Sequence, residues 1–341
     1  MPETNSPVRI APWKDNKRFA YSVTYDEGLV EILGFAWRLH RDHGIPGHIS
    51  AVPSLLGKLE GDMSAGFLQS LWNLRKFAEP EHLQFLVSQG WTVGCQFAPG
   101  KDGGTVRGGP AGFLQEQRAL LEAAVGCPVR SLAFADATYA AIWQEAAVEA
   151  GFDWLFTLFD ALNAPDDPAR IVRRSPLYHR GPLPNRLAND PYRLLALARD
   201  RGAWVVDVVR LVDRYIQDSS RDCTPAELEA RFNAVHTIGQ GNVWLASPVA
   251  VADYRFLRWS SRLEDILIGP RHLDLTLRVS RADQSSSSLT LVVQANPAWR
   301  SPQAQFNTGA QAELKCAAGE DWLLDCPAID GLKITIVDME Q

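Results

Sequence analysis

The run Phe19-Ala20-Tyr21-Ser22-Val23-Thr24-Tyr25-Asp26-Glu27-Gly28 constrains this chain more than any other segment. Aromatic and β-branched residues favour a pleated strand, and the strand should stop where the side chains turn acidic and Gly28 lets the chain turn. Two carboxylates are therefore expected at a strand's carboxyl end. In barrels and open α/β sheets the loops leaving that end converge, and active sites are built there.

From residue 19 to about 260, short apolar runs alternate with helical segments. Strands are predicted at 19–25, 45–52, 91–97, 130–135, 153–157 and 203–212. Helices are predicted at about 29–43, 64–77, 80–88, 113–124 and 139–150, and Thr224-Pro225-Ala226-Glu227 opens another with a capping box. This order points to a parallel sheet or barrel. The stretch from Asn163 to Pro191 carries six prolines and several arginines and reads as a long structured loop, a kind of segment that often carries function. After Arg271 the pattern becomes strict alternation, with Leu273, Leu275, Leu277 and Val279 on one face, then Leu289–Val293 and Lys333–Val337. The expected division is a barrel over 1–265 and a small all-β, sandwich-like module over 266–341.

The 341 residues suffice for two domains, and 46% hydrophobic with 22% charged residues excludes wholesale disorder. A net charge of -6 gives no electrostatic reason to expect nucleic acid or an anionic membrane as partner. Met1 to Asn16 lacks the apolar core of a signal peptide and no stretch of about 18 apolar residues occurs, so a cytoplasmic protein is expected. Five cysteines without a CxxC argue against a zinc knuckle or a full disulfide framework; Cys316 and Cys326 would pair across two strands only in an oxidising compartment.

Several motifs fall in a recognisable order. Thr24-Tyr25-Asp26-Glu27-Gly28 is followed by His43–Ser50, by Gly90-Trp91-Thr92-Val93-Gly94-Cys95-Gln96-Phe97-Ala98-Pro99-Gly100, by Leu132–Ala137, by Gly151-Phe152-Asp153 and by Val243–Ala246. Over residues 19 to about 255 the chain resembles the NodB-type polysaccharide deacetylases of the carbohydrate esterase family 4 superfamily. The resemblance implies a deformed (β/α) barrel, with Asp26 as general base and the second acid, here Glu27, as metal ligand. The family's two metal-binding histidines are Gln96 and Gly100 in this chain. Its arginine and aromatic of the next motif are Ala133 and Asp136, and Trp204–Leu211 holds no histidine where the family offers a general acid. The resemblance thus implies a hydrolase of a C–N amide bond that works without the Asp-His-His triad and without a cofactor. The alternatives are an inactive carbohydrate-binding or scaffold protein, or a carboxylate-driven elimination or isomerisation on a sugar-like substrate.

The candidate catalytic residues are Asp26, Glu27 and His48. Asp26 is either a base or a turn acid capping the next helix, Glu27 either touches ligand or makes a structural hydrogen bond, and His48 is either a proton carrier or a core residue. Candidate ligand-binding residues are Gln96, Asp136, Cys95, Trp204 and Arg174. Each has a plainer reading: Trp204 as core, Arg174 as part of a solvated arginine-rich loop, Gln96 as space filler. Glu27, His48, Cys95 and Asp136 together would be the set for a rebuilt metal site. His40 and His43 are expected on the surface. The expected partner is a small molecule or carbohydrate, with no nucleic acid and no membrane, and homo-oligomer formation is left open.

Overall fold

Seven segments dense in β-branched and aromatic residues pair side by side, all in parallel, and close on themselves. In chain order they are β1 (Phe19–Tyr25), β2 (Gly47–Ala51), β3 (Thr92–Phe97), β4 (Ser131–Phe134), β5 (Trp154–Leu158), β6 (Ile171–Pro176) and β7 (Trp204–Val209). Each pairs with the next, and β7 returns to β1 through Trp204↔Ala20 to Val209↔Tyr25. This computed structural model describes residues 6–60, 75–97, 109–134, 141–177, 190–216, 221–280, 288–294, 299–316 and 321–339. The architecture is the expected deformed (β/α) barrel, with antiparallel sheets at its C-terminal side in sequence.

Helices α1 (Trp37–His43), α2 (Pro80–Ser88), α3 (Gly109–Val125), α4 (Ala141–Glu149), α5 (Leu195–Arg201) and α6 (Pro225–Gly239) occupy the connections. Strand alternation sorts the side chains. On β1 the odd positions face the helices: Tyr21 donates to Asp207 Oδ2 at 2.7 Å, where Arg231 of α6 also binds, and Tyr25 stacks on Trp91. Thr24 faces inward, and Asp26, just past the strand, continues on the same side. The capping box forms as expected, with Glu227 N–H donating to Thr224 Oγ1 at 3.2 Å and Thr224 N–H to Glu227 at 2.7 Å.

Three expectations are corrected. The segment 163–191 is not one loop, because Ile171–Pro176 is a barrel strand. Its inward position is the charged Arg174, which hides the apolar period. Arg75–Lys76, within the expected helix 64–77, pairs with Leu59–Glu60 as a two-stranded ladder, and residues 61–74 lie outside the described residues. His40 is buried rather than on the surface, its Nδ1 2.6 Å from the Ile45 carbonyl and its Nε2 2.7 Å from Tyr25 Oη.

The chain divides into two compact units: Ala20–Asn163 with Ala169–Ala250, and Met1–Phe19 with Ala164–Pro168 and Val251–Gln341. This packing division is a different cut of the chain from the linear one at 265/266. The second unit holds two antiparallel sheets. One runs in the order Val8–Ile10, Ser288–Gln294, Asp321–Pro327, Lys315–Cys316; the other in the order Ser261–Ile268, His272–Val279, Leu332–Asp338, Pro302–Phe306, Gln311–Glu313. Leu273, Leu275, Leu277 and Val279 are buried, as their alternation predicts. Cys316 stands opposite Trp322 and Cys326 opposite Leu289, so the ladder separates the two cysteines and no disulfide joins them.

Candidate active site

The carboxyl end of β1 places Asp26 inside the barrel, 1% exposed, against an equally buried Arg174 from β6. The guanidinium binds both carboxylate oxygens, Nη1 to Oδ1 at 2.5 Å and Nη2 to Oδ2 at 3.2 Å. Nη1 also reaches Thr24 Oγ1 at 3.2 Å, and Nη2 the Phe134 carbonyl at 3.5 Å. Two parallel charge-assisted bonds fix the plane of the carboxylate as well as its charge. Arg174 is therefore not on a solvated loop. The position of Ala133 on β4, where the resemblance expects an arginine, lacks the cation; the guanidinium comes from two strands further round.

One residue on, the strand ends. Glu27 adopts a left-handed backbone (φ 69°) and Gly28 follows at φ 75°. The turn is held by Gln96, whose Oε1 accepts from the Glu27 N–H. The Glu27 carboxylate is buried with Arg210 Nε at 3.9 Å and Arg221 Nη2 at 3.8 Å, and Arg210 also lies 3.5 Å from Asp222. A hydrolytic metal site needs three fixed ligands and an open position. Here Glu27 faces two guanidinium groups and the Gln96 oxygen is spent on a backbone N–H. Among the described residues no group of three or more His, Cys, Asp or Glu side chains is arranged to hold a metal. The side chains present do not fit the triad that the resemblance implies.

His48 on β2 lies inside the barrel beside Thr24 in the register, with Nδ1 2.8 Å from Thr92 Oγ1 and its ring edge against Phe156. Burial, reinforced by the Arg174 charge, lowers its pKa to about 3, so the imidazole is neutral at ordinary pH. The interior polar set also includes Ser50, Gln96 and Ser131, all buried. Among the described residues, His48 Nε2, Ser50 Oγ, Gln96 Nε2, Ser131 Oγ and Arg174 Nε are buried polar atoms without a hydrogen-bond partner.

Asp26, Glu27, His48, Gln96 and Arg174 are thus brought together at one end and in the interior of the barrel. Cys95 and Trp204 are not. Cys95 alternates with the inward Gly94 and Gln96 and so faces α3, and burial together with Glu122 pushes its thiol far above the ordinary range, which removes the thiolate a nucleophile needs. Trp204 starts β7, at the far end of the strand from Asp26. Its Nε1 donates to Ser22 Oγ at 3.1 Å, which donates to the Ala246 carbonyl at 2.7 Å. Asp136 lies outside the described residues. Sequence reasoning missed Ser50, Ser131, Arg210 and Arg221. The signal for the two serines was polar residues at alternate positions of otherwise apolar strands that are buried on both faces.

No protein-family model and no curated protein matches this sequence. Similar solved structures exist at low identity. The structure of IcaB from Ammonifex degensii is 20% identical over 45% of this chain, with a TM-score of 0.36; the match spans 66% of that protein's chain. A putative polysaccharide deacetylase from Mycobacterium smegmatis is 15% identical over 73% of this chain and 93% of its own, with a TM-score of 0.41. Puue allantoinase is 13% identical over the same shares, with a TM-score of 0.43. Polysaccharide deacetylases recur among these neighbours. The barrel assignment itself rests on the strand pairing described above.

Proposed function

We propose that this barrel hydrolyses a C–N bond in a small amide or carbohydrate, with Asp26 as general base and without the Asp-His-His triad. One observation carries the reading: the Asp26 carboxylate is oriented by Arg174 at the strand end, while Gln96 Nε2 and Arg174 Nε beside it remain unspent and buried. Asp26 takes a proton from water, the oxygen attacks the amide carbon, and the charge that develops on the carbonyl oxygen meets N–H donors fixed in advance. Asp26 then returns its proton to the departing amine, which balances the reaction. A preorganised donor of this kind is worth about 10²- to 10³-fold in kcat. The reading takes the ligand to be a small molecule and the protein to be cytoplasmic.

The test is turnover of a panel of acetamido sugars and cyclic amides by the full chain, with and without prior dialysis against a chelator. The expected result is turnover that survives dialysis and falls at least about 10²-fold in Asp26→Asn. Turnover that ignores Asp26→Asn, or none across the panel, overturns the reading.

A second reading, binding without turnover, is favoured by one specific feature: Arg174 engages both oxygens of Asp26. It is supported by saturable binding of panel members, measured by calorimetry, in the absence of product.

A further inference from the structure

A cavity of about 170 Å³ lies between α1, the residues just before β2 and the turn from α2 into β3. Ile45-Pro46 and Gln89–Trp91 lead into parallel strands, so the cavity sits at the amino-terminal end of the barrel wall, whereas Asp26 follows β1 at the carboxyl end. It is no part of the candidate active site. An apolar cavity of about 150 Å³ accepts a benzene-sized molecule, so this one has room for a single six-membered ring.

The walls are flat and aromatic. Trp91 is nearly fully buried and stacks on Tyr25; Trp37 is half-buried and is held from the side by Phe85, ring centroids 5.1 Å apart. His40 offers only a ring face, because its Nδ1 is engaged by the Ile45 carbonyl and its Nε2 by Tyr25 Oη, and burial lowers its pKa to about 3 and keeps it neutral. Gly44 and Gly90 turn the chain after α1 and α2 at φ 64° and 81°, and an added Cβ at either meets nothing within 4 Å, so the mouth stays open.

Charge is supplied at the rim by Arg41. Its guanidinium lies over Trp37, 5.2 Å from the ring centroid. Nε and Nη2 both donate to Asp42 Oδ1, at 2.9 and 2.8 Å, and Nη1 bonds nothing among the described residues. Both side chains of this pair are more than half exposed, and exposed ion pairs hold weakly, so the guanidinium can turn to a better-placed carboxylate at little cost. Among the described residues no acidic side chain lines the cavity.

We infer that this cavity is a binding site for a small arylcarboxylate, with one aromatic ring against the indoles of Trp37 and Trp91 and the carboxylate on Arg41 at the rim. Aromatic rings stack offset or edge to face on such walls, and the planar guanidinium fork matches the two oxygens of a carboxylate. An ammonium would meet Arg41 with no anion to balance it. A carboxylate without a ring would leave the aromatic walls unfilled.

Benzoate, benzyl alcohol, benzylammonium and acetate separate the contribution of the ring from that of the charge. Each is titrated into the full chain while the indole N–H resonance of Trp37, assigned by comparison with Trp37→Phe, is followed. Benzoate is expected to shift this signal saturably, benzyl alcohol to bind at least about 3-fold more weakly, and acetate and benzylammonium to leave it in place. Arg41→Gln, at an exposed position, should keep the melting temperature, weaken benzoate by about 3- to 10-fold and leave benzyl alcohol unaffected. Arg41→Glu should reverse the preference, so that benzylammonium binds more tightly than benzoate. Benzoate binding in a protein that turns over no amide would remove the hydrolase reading and leave this site standing, because Asp26 takes no part in it. No saturable shift with benzoate, equal affinity for benzyl alcohol or acetate, or a benzoate affinity indifferent to Arg41→Gln overturns the inference.

Discussion

At Asp26 and Arg174 two opposite charges are withdrawn from water; each is the other's counter-ion, with Thr24 Oγ1 and the Phe134 carbonyl as further acceptors for the guanidinium. Arg174→Met leaves the carboxylate buried and uncompensated, and the expected loss is about 3–5 kcal/mol in urea unfolding. Asp26→Leu combined with Arg174→Met removes both charges and is expected to recover most of it. A single variant as stable as wild type would mean that the pair is not closed in solution. The buried histidines make a second residue-level prediction. His40 and His48 both have folded pKa values lowered to about 3 by burial, against about 6.5 when unfolded. The unfolded chain therefore binds more protons between those values, so their contribution to stability is complete above pH 6.5 and is lost as pH falls towards 3. The expected slope for each histidine rises from about 0.7 kcal/mol per pH unit at pH 6.5 towards about 1.4 at pH 5. Denaturation curves of His48→Gln should show a shallower slope than wild type in that window, with His40 and His43, whose pKa is also lowered by burial and by His236, keeping the remainder.

Among the elements, β2 and β3 lock through an aromatic ring. Trp91 stacks on Tyr25, packs at a tilt against His40 and lies over Gly47, where an added Cβ would fall 2.6 Å from the ring. Gly47→Ala is expected to cost about 1–3 kcal/mol by overpacking, read as a lowered melting temperature, while Gly34→Ala, at a helical glycine with open space around it, should not. Which elements were legible in the sequence follows from the same physics. β1 and β7 announce themselves because burial on both faces selects mostly apolar, aromatic and β-branched runs, whereas β2 and β3 carry polar or glycine residues at their inward positions. β6 does not, since Arg174, Arg173 and Pro176 read as loop residues until Asp26 is known to wait opposite. Asp26, Gln96 and Arg174 were each nominated separately, but that Arg174 clamps Asp26, and that Gln96 props the turn at Glu27, depends on pairing between strands 70 to 150 residues apart, which no local pattern encodes. Cys95 was misplaced for a simpler reason: its position on β3 fixes its face only once the phase of the strand is known.

For the whole molecule, the division of the chain matters more than its length. The second unit takes residues from both ends, and Val8–Ile10 pairs as an edge strand with Leu291–Val293 in the four-stranded antiparallel sheet. Deletion of 266–341 alone removes that partner and strands the buried Val8, Ala11 and Trp13. Such a truncation is expected to give less soluble protein than removal of both 1–18 and 251–341, compared by yield and by light scattering; the reverse order would show that the N-terminal segment needs no sheet.

The same pairing sets a clock. Asp15 N–H bonds Thr290 Oγ1 across 275 residues of sequence. At a synthesis rate of about 5–20 residues per second, roughly 10 s to 1 min pass between the emergence of one and that of the other from the ribosome. For that interval the segment around Trp13 is a greasy, unclaimed tether while the barrel strands assemble beside it, and a cell making this protein must keep it from other nascent chains until translation is nearly done.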